Sequence, residues 1–172
     1  MRSHPRFAAS AAAIFTAFFV ALVMLGCGKP DQPAPSPVDE VQWRNDGSLT
    51  FQRDVDGKRE DITTITIEIA DTDTLRTRGL MGRSTIPSDR GMLFIFPFPD
   101  MQGFWMANTQ SSLDLMFVSE DSVINDIAKY AKPMSPETVA GREPAQFVVE
   151  VTAGYADTQG IVIGDRVTWE RN

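Results

Sequence analysis

The sequence predicts a mainly β fold, namely a compact β-sandwich or small barrel with one or two short helices. Three observations support this prediction. Apolar and polar residues alternate in short runs, glycine and aspartate turn signals separate these runs, and long stretches of helical periodicity are missing. Residues 41–172 have the length of a single domain.

The predicted strands follow from the spacing of their apolar residues. Ile65, Ile67 and Ile69 alternate with polar residues, which is typical of a strand that buries one face. Residues 92–96 are apolar on both faces, as in a strand covered by two layers. The other predicted strands are residues 113–117, 123–127, 147–151 and 160–169.

Local signals predict two tight turns and two short helices. Turns are expected at residues 45–47 and 56–57, because Asn, Asp and Gly favour the backbone conformations that tight turns need. A helix is expected at residues 73–81, with Thr72 or Asp73 as its N-cap, and Gly79 shortens or ends it. One more helical turn is expected at residues 153–158.

Residues 1–26 have the pattern of an export signal. Arg2 and Arg6 precede an uncharged run at residues 7–25, and small residues follow it. The sequence Met24-Leu25-Gly26-Cys27 resembles a bacterial lipoprotein signal, which implies that Cys27 is acylated and becomes the first mature residue. An uncleaved transmembrane helix is the alternative, because the 19 uncharged residues of this run nearly reach the roughly 20 needed to span a bilayer. Lipidation is favoured, since a spanning helix gives no reason for Cys27.

Residues 27–40 are expected to form a lipidated, proline-rich tether between the membrane and the domain. Four prolines in residues 28–38 favour an extended chain. Both interpretations of the leader place the domain outside the cytoplasm. Gly28 follows Cys27 where an aspartate would retain a lipoprotein at the inner membrane. The resemblance therefore implies the outer membrane, facing the periplasm, if the cell has one.

Composition excludes several kinds of catalysis. His4 is the only histidine and Cys27 the only cysteine, so the mature chain has neither imidazole nor a free thiol. Serine and cysteine nucleophiles that need histidine are excluded, as are the usual zinc, copper and haem sites. No cofactor or metal is predicted, because the acidic runs at residues 54–57 and 71–73 lack the spacing of a calcium loop. The mature chain has 14 basic and 23 acidic residues, a net charge of −9, which disfavours nucleic acid as a partner.

The best candidate binding surface is the aromatic segment at residues 94–106. Phe98 and Met101 are expected on a loop at residues 97–103, with Trp105 at the floor of a hydrophobic cleft. Aromatic faces beside a few polar groups suit sugars, lipids or partner side chains. The alternative is that these three residues fill the core. Core positions are favoured for Phe94, Phe96 and Phe104.

Two arginines and two carboxylates are further candidates. Arg78 and Arg83 flank a Gly-Leu-Met-Gly segment, where two guanidiniums would hold a carboxylate or phosphate by paired hydrogen bonds. The favoured alternative is an ion pair with Asp89 or Asp114. Asp114 and Glu150 lie in apolar strands and would act as an acid–base pair, with Asn108 orienting a substrate. Here the favoured alternative is exposure to solvent or pairing with an arginine.

Four motifs in sequence order resemble the DUF192 family. They are Arg78-Gly79-Leu80-Met81-Gly82-Arg83, then Gly91-Met92-Leu93-Phe94, then Phe104-Trp105-Met106 with Asn108-Thr109, then Leu113-Asp114 before Phe117. The resemblance covers residues 62–167 and implies a compact, mostly β domain, often exported or lipid-anchored, whose biochemical role is not established. Ala107 departs from the pattern, which has a basic residue there. A ligand contact made by that basic residue would be lost in this chain.

The sequence thus predicts an extracytoplasmic, lipid-anchored β-domain that binds an envelope protein or a small-molecule ligand at the face carrying Trp105. Two alternatives remain open. One is a carboxylate-dependent hydrolase or lyase that acts on envelope carbohydrate through Asp114 and Glu150. The other is a structural accessory of the envelope.

Overall fold

Residues 41–172 are described by a computed structural model, which contains nine strands and two short helices in this part of the chain. The strands are β1 (Gly47–Val55), β2 (Lys58–Ala70), β3 (Arg90–Asp100), β4 (Gly103–Trp105), β5 (Leu113–Val118), β6 (Ile124–Ala131), β7 (Thr138–Ala140), β8 (Ala145–Thr152) and β9 (Arg166–Arg171). The helices are α1 (Asp73–Arg78) and α2 (Tyr155–Gln159). The predicted signal, Cys27 and the tether lie outside the described residues.

Seven strands form one sheet in the order β6-β5-β8-β3-β2-β1-β9, and β4 pairs with β7 in a second, two-stranded sheet. Only the β2–β3 pair is parallel among the pairings of the large sheet. The edges of the large sheet meet at one bridge, between Val123 and Arg166. The prediction of a mainly β fold with short helices is therefore confirmed, and the sheet does not close into a barrel.

Apolar residues pack on both faces of the large sheet, as the period-two geometry of a strand requires. In β3, Leu93 joins the first core cluster together with Ile65, Ile67 and Ile69 of β2. Met92 and Phe94 of β3 join the second cluster on the opposite face. The burial of β3 by two layers is confirmed, as is the burial of the isoleucine face of β2. The expectation that β2 buries only one face was wrong at its end, because Glu68 and Ala70 on the other face are buried as well.

Local chemistry also explains one turn and the helix ends. Asp56 and Gly57 have φ values of 51° and 76° and connect β1 to β2, as predicted. The Thr72 hydroxyl accepts a hydrogen bond from the Leu75 amide at 3.3 Å, so Thr72 caps α1. α1 ends at Arg78, three residues before the predicted end at Met81, because Gly79 leaves the helical conformation with a φ of 48°. None of the helices within residues 41–172 is long and apolar enough to cross a membrane.

Two predictions about glycine-containing segments were wrong. Residues 45–47 form no turn. Gly47 instead begins β1, where a Cβ would lie 2.1 Å from the Glu170 carbonyl oxygen, so glycine permits the close approach of β9. The last strand begins at residue 166 rather than 160, because Gly160 and Gly164 have φ values of 68° and 98° and interrupt an extended chain.

Candidate functional site

A cavity of about 510 Å³ opens between α1, β3 and β4. We call it the aromatic cleft. Its lining includes Arg76, Gly79, Phe94, Phe96, Phe104, Trp105 and Asn108. The cleft thus combines side chains of one helix, two strands and the segment that follows β4.

Three phenylalanines build the inner wall of the aromatic cleft. The ring centroids of Phe94 and Phe104 are 4.9 Å apart at an interplanar angle of 85°, and those of Phe96 and Phe104 are 6.4 Å apart. Edge-to-face contacts of this kind fix the rings relative to one another. Phe94 is buried, and the other two rings are partly buried against the second core cluster. The floor of the cleft is therefore Phe94.

The exposed aromatic residues do not all belong to the aromatic cleft. Trp105 is 55% exposed, and it lies at the rim of the cleft rather than at the floor where we predicted it. Phe98 and Met101 are 66% and 56% exposed and do not line the cleft. β3 continues to Asp100, so the predicted loop at residues 97–103 is reduced to the Met101–Gln102 connection.

Polar side chains, among them those of Arg76 and Asn108, line the aromatic cleft. Arg76 donates hydrogen bonds to the Ile95 carbonyl and to Asp73 Oδ1, each at 2.6 Å. Its guanidinium lies 5.5 Å from the centre of the Phe96 ring, within cation–π range. Asn108 is exposed, and its side chain forms no hydrogen bond with the described residues. No sequence pattern identifies Arg76 as a site residue, because its position three residues after Asp73 is equally typical of a surface ion pair.

A second cavity, of about 400 Å³, lies on the other side of Gly79. We call it the cationic cavity. Its charged lining residues are Arg44, Glu68, Arg78 and Arg83, and Leu75 and Met92 are among its apolar ones. It contains the two arginines singled out in the sequence.

Arg83 is buried rather than exposed at a helix end. Its Nη2 donates to Glu68 Oε1 at 2.7 Å, and its Cζ lies 3.9 Å from the centre of the Trp43 ring. Burial lowers the pKa of Arg83 from its ordinary value, an effect that Glu68 opposes. The prediction that Asp89 or Asp114 pairs with these arginines was wrong, because the partner of Arg83 is Glu68 and Arg78 has no ion pair within residues 41–172.

Asp114 is a structural carboxylate. It is fully buried, where the sequence interpretation had expected a solvent-facing or arginine-paired group. Its Oδ1 accepts a hydrogen bond from the Tyr130 amide at 2.9 Å, and its Oδ2 accepts one from the Ala156 amide at 3.1 Å. The carboxylate therefore satisfies an otherwise unpaired amide in the first turn of α2. It also holds Tyr130 at a φ of 55°.

Glu150 lies on the opposite face of the sheet from Asp114. In the β5–β8 ladder Leu115 is opposite Glu150, whereas Asp114 is opposite Val151. Neighbouring residues of a strand point to opposite faces, so the two carboxylates are separated by the sheet. Glu150 is buried, and burial raises its pKa to about 8, which keeps the group largely protonated at neutral pH. The structure does not bring the two carboxylates together as an acid–base pair.

Comparison with known proteins gives a family and two similar structures. The model of the DUF192 family, described as "Uncharacterized ACR, COG1430", matches residues 54–169. A crystal structure from Sinorhizobium meliloti 1021, provisionally described as a transcription regulator, is 31% identical, with a TM-score of 0.66, and the match covers 74% of this chain and 97% of that one.

A protein of unknown function from Novosphingobium aromaticivorans DSM 12444 is 33% identical, with a TM-score of 0.64. That match covers 71% of this chain and 84% of the other. No curated protein matches the chain. Since the family model covers well over half of the chain and most of the strands described above, the chain belongs to the DUF192 family.

Proposed function

We propose that this DUF192 domain is an extracytoplasmic, lipid-anchored binding domain. In this proposal the aromatic cleft takes the apolar or aromatic face of a small molecule or of an envelope protein's side chain. The observation that carries the proposal is the half-exposed indole of Trp105 at the rim of a cavity whose floor is already aromatic. Exposed aromatic surface next to a preformed cavity is typical of ligand sites.

The polar groups of the aromatic cleft add the means to orient a ligand. The Asn108 amide offers two N–H donors and one carbonyl acceptor that no group of the described chain uses. Arg76 is held by its own hydrogen bonds, so its stacked guanidinium presents a fixed cationic edge. A ligand with an apolar face and a few polar substituents, such as a sugar ring, fits this arrangement.

The other two functions predicted from the sequence receive less support. A carboxylate-dependent hydrolase or lyase needs two acidic groups that reach one substrate, and the ladder register places Asp114 and Glu150 on opposite faces. A purely structural accessory needs no cavity. The open aromatic cleft therefore favours binding.

Location outside the cytoplasm and anchoring at Cys27 belong to the same proposal. They are supported by the leader pattern and by the proline-rich segment that precedes the domain. The acidic mature chain argues against nucleic acid as its partner. Labelled palmitate should attach to the wild-type chain in cells and not to Cys27→Ser. Equal labelling of both chains would contradict anchoring at this residue.

The cleft is tested with a chain in which Trp43 and Trp169 are changed to Phe, so that Trp105 is the sole tryptophan and can be excited selectively. Envelope-derived oligosaccharides are titrated into this full chain in detergent. We expect saturable changes of Trp105 fluorescence. Covering half of a tryptophan buries on the order of 100 Å², worth about 2.5 kcal/mol.

Trp105→Ala, made in the otherwise wild-type chain, should therefore weaken binding by about 10- to 100-fold in calorimetry. The matched control is Phe98→Ala, which removes a similarly exposed aromatic residue outside the cleft and should leave affinity unchanged. Equal losses in both variants would indicate a general apolar surface rather than a cleft. Saturable binding that Trp105→Ala leaves intact would also contradict the proposal.

A further inference from the structure

We infer that the cationic cavity is an oxyanion site, separate from the aromatic cleft, and that it binds a small organic ligand through a carboxylate or phosphate group. The ligand's oxyanion would be held by Arg78 and by the exposed part of Arg44. Its carbon skeleton would lie against Leu75 and Met92. This inference does not depend on the proposed function of the aromatic cleft.

The first argument is charge. Three guanidiniums and one carboxylate line the cationic cavity, an excess of two positive charges, although residues 41–172 contain 13 basic and 20 acidic residues. Arg78 is exposed and has no carboxylate partner in the described part of the chain. Arg44 and Arg78 also lie close enough to Arg83 to disfavour its charged form. An anion in the cavity would relieve this repulsion.

The second argument is that the base of the cationic cavity is rigid. Glu68 is fully buried, and its Oε1 accepts hydrogen bonds from the Arg44 amide at 2.8 Å and from Arg83 Nη2 at 2.7 Å. Its Oε2 lies 3.3 Å from Arg44 Nη1 without forming a hydrogen bond. One carboxylate thus fixes two arginines, and the Trp43 ring stacks on one of them. A ligand would therefore bind without the entropic cost of ordering these side chains.

The third argument is that the positive charge at the base of the cationic cavity is only partly neutralised. Arg83 is 3% exposed, and its buried Nε has no hydrogen-bond partner. Glu68 and Asp46, which pairs with Arg44 at 2.9 Å, supply two negative charges to a cluster of three guanidiniums. The charge of Arg78 therefore has no carboxylate partner in the described chain. A planar guanidinium matches the two oxygens of a carboxylate or phosphate, which makes an oxyanion the complementary group.

The size and the apolar lining identify the ligand class. A volume of about 400 Å³ exceeds what a single inorganic ion fills, and Leu75 and Met92 add apolar surface. A small organic acid or a phosphate ester satisfies both features. Gly79 lines both cavities, but the arginines that would hold the anion do not line the aromatic cleft, so substitutions can separate the two sites.

The test is calorimetric titration of the full chain in detergent, at about 0.1 M chloride to screen weak surface attraction. Succinate and inorganic phosphate are the two probes, and their relative affinities distinguish a carboxylate ligand from a phosphate ligand. We expect saturable one-to-one binding of at least one probe. Arg78→Gln replaces a guanidinium that has no hydrogen-bond or ion-pair partner in the described chain. This variant should therefore fold, which circular dichroism checks.

We expect Arg78→Gln to weaken binding by about 10- to 100-fold, the loss typical of hydrogen bonds to a charged group. Arg59→Gln is the matched control, because it removes one exposed positive charge outside the cavity. It should change affinity less than about twofold, as should Trp105→Ala. The inference fails if neither probe binds saturably, if Arg78→Gln binds like the wild type, or if Arg59→Gln weakens binding equally.

Discussion

Burial of Glu150 should make the stability of this domain fall as the pH rises. The group ionises with a pKa of about 8 in the folded chain, against an ordinary value of 4.5. Below pH 4.5 the carboxyl is neutral in both the folded and the unfolded chain, so its ionisation does not affect the free energy of unfolding. Between pH 4.5 and 8 only the unfolded chain releases the proton, so the free energy of unfolding decreases until the folded chain ionises as well.

The size of this effect follows from the shift of about 3.5 pKa units. Each unit corresponds to about 1.4 kcal/mol, so the full loss approaches 5 kcal/mol above pH 8. Glu150→Gln replaces the acid by a neutral group of the same shape. Its stability should lie within about 1 kcal/mol of the wild type at pH 5 and exceed it by several kcal/mol at pH 9.

Urea unfolding at pH 5, 7 and 9, followed by tryptophan fluorescence, measures this difference. Glu120→Gln is the control, because Glu120 is exposed and its replacement should leave the pH dependence unchanged. A constant difference between Glu150→Gln and the wild type across this range would refute the reasoning. So would a gain in stability for the variant at pH 5 that disappears at pH 9.

Two further substitutions test the packing around the sheet. Asp114→Asn should lower the free energy of unfolding by about 1–3 kcal/mol, because the side-chain NH₂ group would face one of the two backbone amides that donate to the carboxylate. Hydrogen exchange should therefore accelerate at the Tyr130 and Ala156 amides. Unchanged protection of both amides would contradict the capping role. Gly91→Ala should cost about 1–3 kcal/mol in urea unfolding, because its Cβ would lie 2.7 Å from the Glu150 carbonyl oxygen. Gly103→Ala, whose Cβ meets only a Thr138 methyl group at 3.0 Å, should cost less, and a larger cost there would contradict the packing argument.

The parts of the fold that depend on neighbouring residues could be predicted from the sequence. The alternation of Ile65, Ile67 and Ile69 identifies a strand because side chains of a strand alternate between its faces. Asp56-Gly57 identifies a hairpin and Thr72 identifies a helix start for equally local reasons.

Features that depend on distant residues could not be predicted in this way. Gly47 resembles a turn residue, and only the approach of β9 shows that it admits a neighbouring backbone. The partner of Arg83 is 15 residues away on a strand, and no local pattern selects Glu68 over other acids. The same limit applies to Asp114, whose apolar neighbours in sequence gave no indication that it binds the start of a helix.

The single bridge between Val123 and Arg166 has a consequence for how these domains behave when crowded. Apart from that bridge and the three backbone hydrogen bonds beside it, β6 and β9 each have one unpaired side, where a strand of another copy would add and begin aggregation. β6 changes register twice against β5, and β9 carries charged side chains along a short length. Irregular, charged borders of this kind make poor templates, so high local concentration should not convert these domains into extended intermolecular sheets.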